Sequence, residues 1–231
     1  MLEPQSLSID LPGVELSADL RLPANTRALV IFVHGSGSGR ASPRNQYVAN
    51  VLARRGLGSL LFDLLTGPEQ RMDNLTGELR FDIPLLARRL IHVIDWARRD
   101  PDLRALRIGL FGASTGAAAA MVAAAERVDA VAAVVSRGGR TDLAGPALVR
   151  VEAPTLQIVG AQDPLVLGLN DQIRRVLRCE QALEVVAGAT HLFEEPGTLE
   201  EVTRLAGDWF EKYLLVSKPS TNCLPPHTPN G

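Results

Sequence analysis

Residues 107–116 read Arg-Ile-Gly-Leu-Phe-Gly-Ala-Ser-Thr-Gly, and this stretch contains the most informative pattern in the chain. Its largely apolar first half predicts a buried strand, and the Ala-rich residues 113–127 predict a helix. Between them lies the pattern Gly-x-Ser-x-Gly, centred on Ser114. The two glycines leave room for neighbouring backbone, so the serine can occupy a sharp strand-to-helix turn with its hydroxyl exposed. Ser114 is therefore a candidate nucleophile; the alternative is a serine that only caps the following helix.

The rest of the chain alternates strands and helices on either side of this turn. Residues 6–9 and 14–22 alternate apolar and polar side chains, as half-exposed edge strands do. The later strand segments are continuously apolar, which is typical of strands covered on both faces. They comprise residues 28–33, 57–62, 107–111, 130–135, 155–159 and the short segment 183–186. The pattern predicts the α/β class, with a doubly wound, mainly parallel sheet and a short antiparallel N-terminal edge.

Capping residues predict where several helices begin. Ser42 is followed by Pro43, which indicates an N-cap and a first helical residue. A helix over residues 82–99 places its apolar side chains on one face. The last helix is expected to begin at a capping box formed by Thr198 and Glu201.

Composition bounds the domain organisation. A length of 231 residues with 46% hydrophobic and 22% charged side chains predicts one domain over residues 1–215. Residues 216–231 are rich in proline and poor in apolar residues, which predicts a disordered tail. The polar residues 63–80 are expected to form a long functional loop over a site, and residues 170–178 a helix.

Net charge, cysteine content and the lengths of apolar segments exclude several kinds of binding partner and cellular location. The formal net charge of −2 gives no basic excess for nucleic acid. Cys179 and Cys223 are too few for a disulfide framework, and neither has the spacing of metal ligands. The N-terminal residues do not resemble a signal peptide, and no apolar run is long enough to span a membrane. The expected location is therefore the cytoplasm, without membrane contact.

Two further residues have the chemistry that a serine nucleophile needs, and both follow predicted strands. His191 comes after strand 183–186 and is the candidate general base. Asp163 comes after strand 155–159 and is the candidate acid that fixes the histidine tautomer. Because the active site of such a sheet lies at the carboxyl ends of its strands, both positions are suitable. A backbone-bonded loop histidine and an ordinary Asp-Pro turn are the alternatives. The rival acids are Asp171, Glu194 and Glu195.

A tetrahedral intermediate also needs backbone N–H donors. The residue after the nucleophile, Thr115, is one candidate. The second donor is expected from the Gly-rich residues 34–39, His-Gly-Ser-Gly-Ser-Gly, where Ser36 is favoured and Gly35 is the rival. A Gly-rich loop after a strand can instead hold a phosphate, but these residues match neither the dinucleotide-binding nor the Walker pattern.

These motifs resemble the α/β-hydrolase superfamily. The resemblance rests on the His-Gly loop, the Gly-x-Ser-x-Gly turn, and Asp163 followed by His191, and it covers about residues 14–215. The small size and the lack of a large cap domain resemble the dienelactone hydrolase-like esterases. Dienelactone hydrolases proper have a cysteine where this chain has Ser114. This difference favours general carboxylic esters over dienelactone as the substrate.

The resemblance implies a serine esterase that works through an acyl-enzyme and needs neither a metal nor an organic cofactor. Its implied partner is a small-molecule ester, and the protein is expected to be a monomer or homodimer. A thioesterase or acyltransferase that uses the same three residues is the alternative enzyme. A catalytically silent binding protein of this fold, or a nucleotide-binding protein that uses the Gly-rich loop, are alternatives of another class.

Arginines near the predicted site suggest how a substrate could be bound. Arg137 follows strand 130–135, and a guanidinium there is suited to a carboxylate or phosphate on the substrate. Arg40 and Arg44 follow the Gly-rich loop and are candidates for the same role. The alternative for each is a structural or surface arginine.

Overall fold

The structure is a computed structural model that describes residues 3–215. One eight-stranded sheet runs through it, in the spatial order β1-β2-β4-β3-β5-β6-β7-β8. The strands are Gln5–Leu11 (β1), Val14–Arg21 (β2), Ala28–Val33 (β3), Gly58–Phe62 (β4), Arg107–Ala113 (β5), Val131–Arg137 (β6), Thr155–Gly160 (β7) and Gln181–Val186 (β8).

Strand directions agree with the hydrophobic patterns. The two N-terminal strands pair antiparallel with each other, and β2 pairs antiparallel with β4. All the pairs from β4 through β3 to β8 are parallel. Every residue of β3, β4 and β7 is buried, whereas β1 and β2 have exposed residues along their length. This confirms the predicted α/β class, a mainly parallel sheet with a short antiparallel edge, and the described residues contain no large cap domain.

Helices cover both faces of the sheet. On one face α3 and α4 pack over one apolar core, and on the other face α1 and α6 pack over a second. Because each central strand contributes side chains to both cores, its residues are apolar throughout. The helices are Pro43–Arg54 (α1), Gly67–Thr76 (α2), Ile83–Ala97 (α3), Thr115–Glu126 (α4), Pro164–Arg174 (α5) and Thr198–Phe210 (α6).

Capping explains several helix boundaries and corrects one prediction. The Ser42 side chain accepts a hydrogen bond from Asn45 N, and α1 begins at Pro43 as predicted. The Thr198 prediction is wrong, because Thr198 is already helical and its hydroxyl donates to Glu195 O at 2.7 Å. The N-cap of α6 is Gly197, which has no side chain to accept a bond.

The capping box of this chain lies instead at the start of α2. Thr66 accepts a bond from Glu69 N, and the Glu69 carboxylate accepts one from Thr66 N at 2.8 Å. The expected loop over residues 63–80 is therefore corrected, since most of it is α2 followed by a short 3₁₀ helix, Leu79–Phe81. Polar composition predicted a loop here because α2 buries only Asp73 and has no apolar stripe.

Two further boundaries differ in ways that affect the site. The helix expected over residues 170–178 begins earlier, at Pro164, because Asp163 is its N-cap and a proline fits its first turn. Strand β6 extends to Arg137, so this arginine is the last residue of the strand and does not follow it.

The predicted tail, residues 216–231, lies outside the described residues. In the described part of the chain, no helix has the length and apolar character needed to cross a membrane. Cytoplasmic location and a monomeric or homodimeric state stay predictions.

Candidate active site

Ser114 lies on a strained turn between β5 and α4. Its φ of 48° and ψ of −122° fall in a region that residues with a Cβ seldom occupy. The backbone holds it there: Ser114 N donates to Arg137 O at 3.2 Å, and Arg140 N donates to Ser114 O at 3.0 Å. Its side chain makes no capping hydrogen bond to α4. The hydroxyl is therefore not used as a cap, contrary to the alternative explanation of this serine.

Close backbone packing explains the glycines of the pattern. A Cβ on Gly112 would lie 2.5 Å from Ala117 Cα, and one on Gly116 would overlap the backbone oxygen of Val33. A Cβ on Gly35 would lie 2.9 Å from Ser114 Cβ. The turn, the start of α4 and the end of β3 thus meet at distances that exclude side chains.

The Gly-rich loop after β3 lies beside the start of α4. Ser36 Oγ is 3.0 Å from Thr115 Oγ1, so the two residues expected to stabilise an oxyanion are direct neighbours. Gly35 packs against Ser114, as described above. The structure therefore brings all three predicted donors to the Ser114 turn.

His34 fixes the conformation of this loop, a role that its sequence position did not reveal. It is buried, and its Nδ1 lies 3.0 Å from Gly35 O. Its Nε2 accepts a hydrogen bond from Leu64 N at 3.0 Å, so Nδ1 carries the proton and donates to the carbonyl. Burial lowers the pKa of His34 below its usual range, against smaller opposing effects of the Gly35 carbonyl and of Asp63. His34 is thus a neutral link between the loop and the segment leading to α2.

Helix α2 covers the Gly-rich loop and is held by ion pairs. Asp73 is fully buried and accepts bonds from Arg80 N at 3.0 Å and Arg80 Nε at 2.7 Å. Arg89 donates to Leu64 O at 2.5 Å and also pairs with Glu69. Together with the loop, α2 lines a small pocket whose lining also includes Arg80 and Thr115.

Asp163 and His191 meet at the ends of β7 and β8. Asp163 Oδ2 lies 2.6 Å from His191 Nδ1, and the two side chains are 13% and 38% exposed, respectively. The other carboxylate oxygen, Oδ1, accepts a long bond of 3.4 Å from Val166 N at the start of α5. The positive end of that helix favours a negatively charged carboxylate. The predicted contact between acid and base is therefore present.

Each rival acid is bonded elsewhere. Asp171 lies within 4 Å of two arginines of its own region, Glu194 pairs with Arg44 at 2.5 Å, and Glu195 accepts bonds from Thr190. Asp163 is thus the carboxylate that the described contacts join to His191.

The segment after β6 connects the two halves of the site. Gly138 has a φ of 52°, and a Cβ on it would lie 3.5 Å from the His191 ring. Its neighbour Arg137 accepts the bond from Ser114 N. Among the described residues no hydrogen bond joins the Ser114 hydroxyl to His191. Arg137 and Gly138 thus link the Ser114 turn to His191 through neighbouring residues and not through a direct bond.

A buried polar network holds this segment and was not foreseen from the sequence. Asn170 Nδ2 donates to Gly139 O at 2.9 Å, and Thr141 Oγ1 lies 3.2 Å from Asn170 Oδ1 and 3.1 Å from Gln157 Oε1. Buried polar groups usually satisfy one another in this way. A polar residue within a mostly apolar strand, Gln157 of β7, is the sequence signal that could have revealed it.

The predicted arginines occupy different environments. Arg40 donates to Asp63 at 3.1 Å and lies 3.7 Å from Asp19, so two carboxylates already balance its charge. Arg44 pairs with Glu194. Arg137 is buried, and no described hydrogen bond or ion pair involves its side chain. Substrate binding by Arg40 or Arg137 stays a prediction; among the described residues, carboxylates pair with Arg40 and none pairs with Arg137.

Residues 3–215 contain no cluster of three or more His, Cys, Asp or Glu side chains that could hold a metal ion.

Comparison with known proteins identifies the family. The model of the dienelactone hydrolase family matches residues 17–214. The crystal structure of a dienelactone hydrolase from Anabaena variabilis has 50% sequence identity and a TM-score of 0.90, and the match covers 92% of this chain and 99% of that one. Est1E from Butyrivibrio proteoclasticus has a TM-score of 0.75 at 18% identity, over 90% of this chain and 98% of that one, which shows a shared fold.

Curated relatives from two strains of Mycobacterium tuberculosis have the name putative phosphoribosyl transferase. They are 52% identical over 219 residues, which is 95% of this chain and 48% of theirs. The chain thus spans about half the length of these relatives. The family match, in contrast, includes the Ser114 turn, the Gly-rich loop and the ends of β7 and β8. The chain is a protein of the α/β-hydrolase fold and belongs to the dienelactone hydrolase family.

Proposed function

We propose that this protein cleaves carboxylic esters, with Ser114 as nucleophile, His191 as general base and Asp163 as the carboxylate that orients the imidazole. The observation that carries the proposal is the 2.6 Å contact between Asp163 Oδ2 and His191 Nδ1, and the strained Ser114 turn follows a parallel strand of the same sheet. When Nδ1 donates to Asp163, Nε2 is left as the acceptor for a serine proton. Membership of a hydrolase family supports this chemistry.

The proposed reaction has two acyl-transfer steps. The Ser114 oxygen attacks the ester carbonyl carbon while His191 Nε2 accepts the hydroxyl proton. The bond to the alcohol then breaks, and His191 passes the proton to the leaving oxygen. Water attacks the acyl-serine and gives its proton to His191, after which Ser114 regains a proton and the acid leaves. Asp163 stabilises the imidazolium in both steps.

The proposed oxyanion hole consists of the backbone N–H groups of Thr115 and Ser36, with Gly35 as the alternative to Ser36. The 3.0 Å contact between the Ser36 and Thr115 hydroxyls supports it, because it joins the loop after β3 to the residue that follows Ser114. The start of α4 adds the positive end of a helix at the same place.

The name of the mycobacterial relatives suggests a second candidate, the transfer of a phosphoribosyl group. That reaction needs a diphosphate site, for which the Gly-rich loop is the available candidate. The packing of Gly35 on Ser114 and the contact of Ser36 with Thr115 favour the oxyanion role of the loop. Calorimetric titration with phosphoribosyl diphosphate tests this alternative, and saturable binding that Ser114→Ala leaves intact would favour it.

Labelling with a fluorophosphonate, followed by mass spectrometry of the digested protein, tests the proposed nucleophile. We expect one adduct, on the peptide that contains Ser114, and none in Ser114→Ala. His191→Ala should slow labelling strongly because the hydroxyl loses its base. Ser42→Ala serves as a control, since Ser42 caps α1 and should not affect labelling.

A panel of esters and thioesters then separates the esterase from a thioesterase or acyltransferase. The ester proposal requires hydrolysis of esters that is lost in Ser114→Ala. A correctly folded protein that takes up no label would contradict the proposal and support the catalytically silent alternative.

A further inference from the structure

The Gly-rich loop that carries a proposed oxyanion donor forms a tight turn. Ser38 N donates to Gly35 O at 3.2 Å, which closes a four-residue turn with Ser36 and Gly37 at its centre. Gly37 has a φ of 67°, in the left-handed region that favours glycine. Because Ser36 is the second residue of this turn, any change in the turn also moves the Ser36 N–H group.

Arg80 lies against Gly37, the third residue of the turn. A Cβ on Gly37 would be 3.8 Å from Arg80 Nη1. The contacts of His34 and Thr115 described above hold the first two residues of the turn. Arg80 also lines the same small pocket as Ser36 and Thr115. The guanidinium is therefore in place to limit movement of the second half of the turn.

Asp73 fixes the position of the Arg80 side chain. Arg80 N donates to Asp73 Oδ1 at 3.0 Å, Nε donates to Oδ2 at 2.7 Å, and Nη2 donates to Asp73 O at 2.9 Å. Asp73 is itself fully buried. Three hydrogen bonds to one buried residue leave the guanidinium little freedom, and Nη1 is the nitrogen that faces Gly37.

Stability alone does not account well for this buried pair. Asp73 is the one buried residue within α2, so the helix presents no apolar face to the rest of the protein. A buried ion pair seldom adds net stability over apolar side chains of similar volume. The pair does provide a fixed direction for the planar guanidinium, which apolar side chains would not give.

We propose that Arg80, held by Asp73, is a positioning residue: it keeps Gly37 in place, and through the turn it holds the Ser36 N–H group in the direction that stabilises an oxyanion. This inference rests on the proposed function and adds a residue outside the proposed triad and oxyanion hole. Backbone donors stabilise a tetrahedral intermediate when they are preorganised toward the developing charge. A displacement of about 1 Å in such a site can cost about 100-fold in rate.

Arg80→Lys tests the proposal because it keeps a positive charge beside Asp73 and removes the planar fork that also reaches Gly37. We expect kcat and kcat/KM on 4-nitrophenyl acetate to fall together, by about 10- to 100-fold, since a contact that matters in the transition state is weakened. Wild-type kinetics in this variant, or a change in KM alone, would overturn the proposal.

A trifluoromethyl ketone reports on the oxyanion directly. The Ser114 oxygen adds to the ketone carbon, the hydroxyl proton passes to His191, and the ketone oxygen becomes an oxyanion that resembles the transition state. The Ki of 1,1,1-trifluoro-4-phenyl-2-butanone should rise in Arg80→Lys by about the factor by which kcat/KM falls. The Ki of 4-phenyl-2-butanone should not change. Equal rises for both ketones, or no rise for either, would refute the positioning role.

A second variant covers the case in which lysine disturbs the fold. Asp73→Asn/Arg80→Met removes both charges together, so no unpaired carboxylate stays buried. Circular dichroism and the Tm establish whether the protein is folded. The losses of kcat and of trifluoromethyl ketone affinity should be at least as large as in Arg80→Lys, and a folded double variant with wild-type kcat would contradict the proposal.

Arg127→Lys is the matched control. Arg127 also forms two hydrogen bonds of 2.8 Å to one carboxylate, that of Asp95, but this pair joins α3 to the residue after α4. The substitution should change neither kcat nor the Ki of the trifluoromethyl ketone. A loss as large as in Arg80→Lys would attribute both effects to general destabilisation and overturn the proposal.

Fluorophosphonate labelling separates failure of this inference from failure of the proposed function. A wild-type protein that is labelled on Ser114, together with an Arg80→Lys variant that has wild-type kcat and ketone affinity, refutes only the positioning role. A folded wild-type protein that takes up no label refutes the proposed function itself.

Discussion

The nucleophile turn at the end of β5 and the acid–base pair at the ends of β7 and β8 are held by different forces. Around Ser114 the contacts are between backbones, and glycines at positions 112, 116 and 35 leave no room for a Cβ. Around His191 the contacts are hydrogen bonds of the Asp163 carboxylate, which accepts from His191 Nδ1 and from Val166 N. In any correctly folded protein, backbone packing therefore fixes the conformation of Ser114. The orientation of the His191 ring depends instead on its hydrogen bond to Asp163.

This contrast implies that the two regions respond differently to substitution. A change at the acid–base pair should remove activity and leave the fold intact, because an isosteric side chain can keep the cap of α5. A change at the nucleophile turn should disturb folding itself, because displaced backbone affects β3, β5 and α4 together.

Asp163→Asn should have the largest effect of all, a loss of catalytic activity. An amide in place of the carboxylate no longer fixes the productive tautomer of His191, and we expect kcat to fall by about 10⁴-fold. The unfolding free energy should change little, since asparagine caps helices as well as aspartate does. Kinetics on an ester substrate together with urea unfolding measure both quantities.

The matched control for that change is Asp82→Asn. Asp82 caps α3 by accepting a bond of 2.9 Å from Leu85 N. It should keep both stability and activity. Comparable activity losses in the two variants would show that the Asp163 effect comes from capping and not from catalysis.

Gly116→Ala should have the next largest effect, which we expect on the free energy of unfolding and not primarily on catalysis. The new Cβ would overlap the backbone oxygens of Val33 and His34, which cannot rotate away as a side chain would. We expect the unfolding free energy to fall by about 3 kcal/mol or more. Gly168→Ala, within α5 and with nothing near its Cβ, should instead stabilise by about 0.5–1 kcal/mol. A well-folded, active Gly116→Ala protein would contradict the backbone-packing explanation.

Glu69→Gln should have the smallest effect and tests how α2 is attached. The hydrogen bond from Arg89, followed by that from Thr66 N, lowers the pKa of Glu69 from 4.5 to about 2. Because the folded-state pKa is depressed, the stabilisation is present above pH 4.5 and is lost as the pH falls toward 2. We expect the variant to lose about 1–2 kcal/mol at pH 7, allowing for partial exposure.

Urea unfolding at several pH values measures this difference, which should shrink steadily below pH 4.5. Glu78→Gln, an exposed carboxylate in the same segment, controls for the loss of one negative charge. A difference that is independent of pH would mean that Glu69 acts through packing or capping and not through its charge.

Local patterns predicted the strand-to-helix turn at Ser114, the parallel sheet and the contact of Asp163 with His191. They succeeded because strand burial, capping and the Gly-x-Ser-x-Gly spacing each depend on residues close together in the chain. They failed at α2, where a short polar helix without an apolar stripe looks like a loop. They failed also at the start of α5, where Asp-Pro reads as a turn.

The sequence specified which residue types stand at the ends of which strands, since periodicity and turn chemistry are local. It did not distinguish Arg40 from Arg137, nor reveal that His34 joins the Gly-rich loop to Leu64. Those differences arise from long-range contacts: Asp19 and Asp63 pair with Arg40, and no acidic side chain of residues 3–215 pairs with Arg137. Whether a charge is paired or left for a ligand depends on which distant side chains the folded sheet brings beside it.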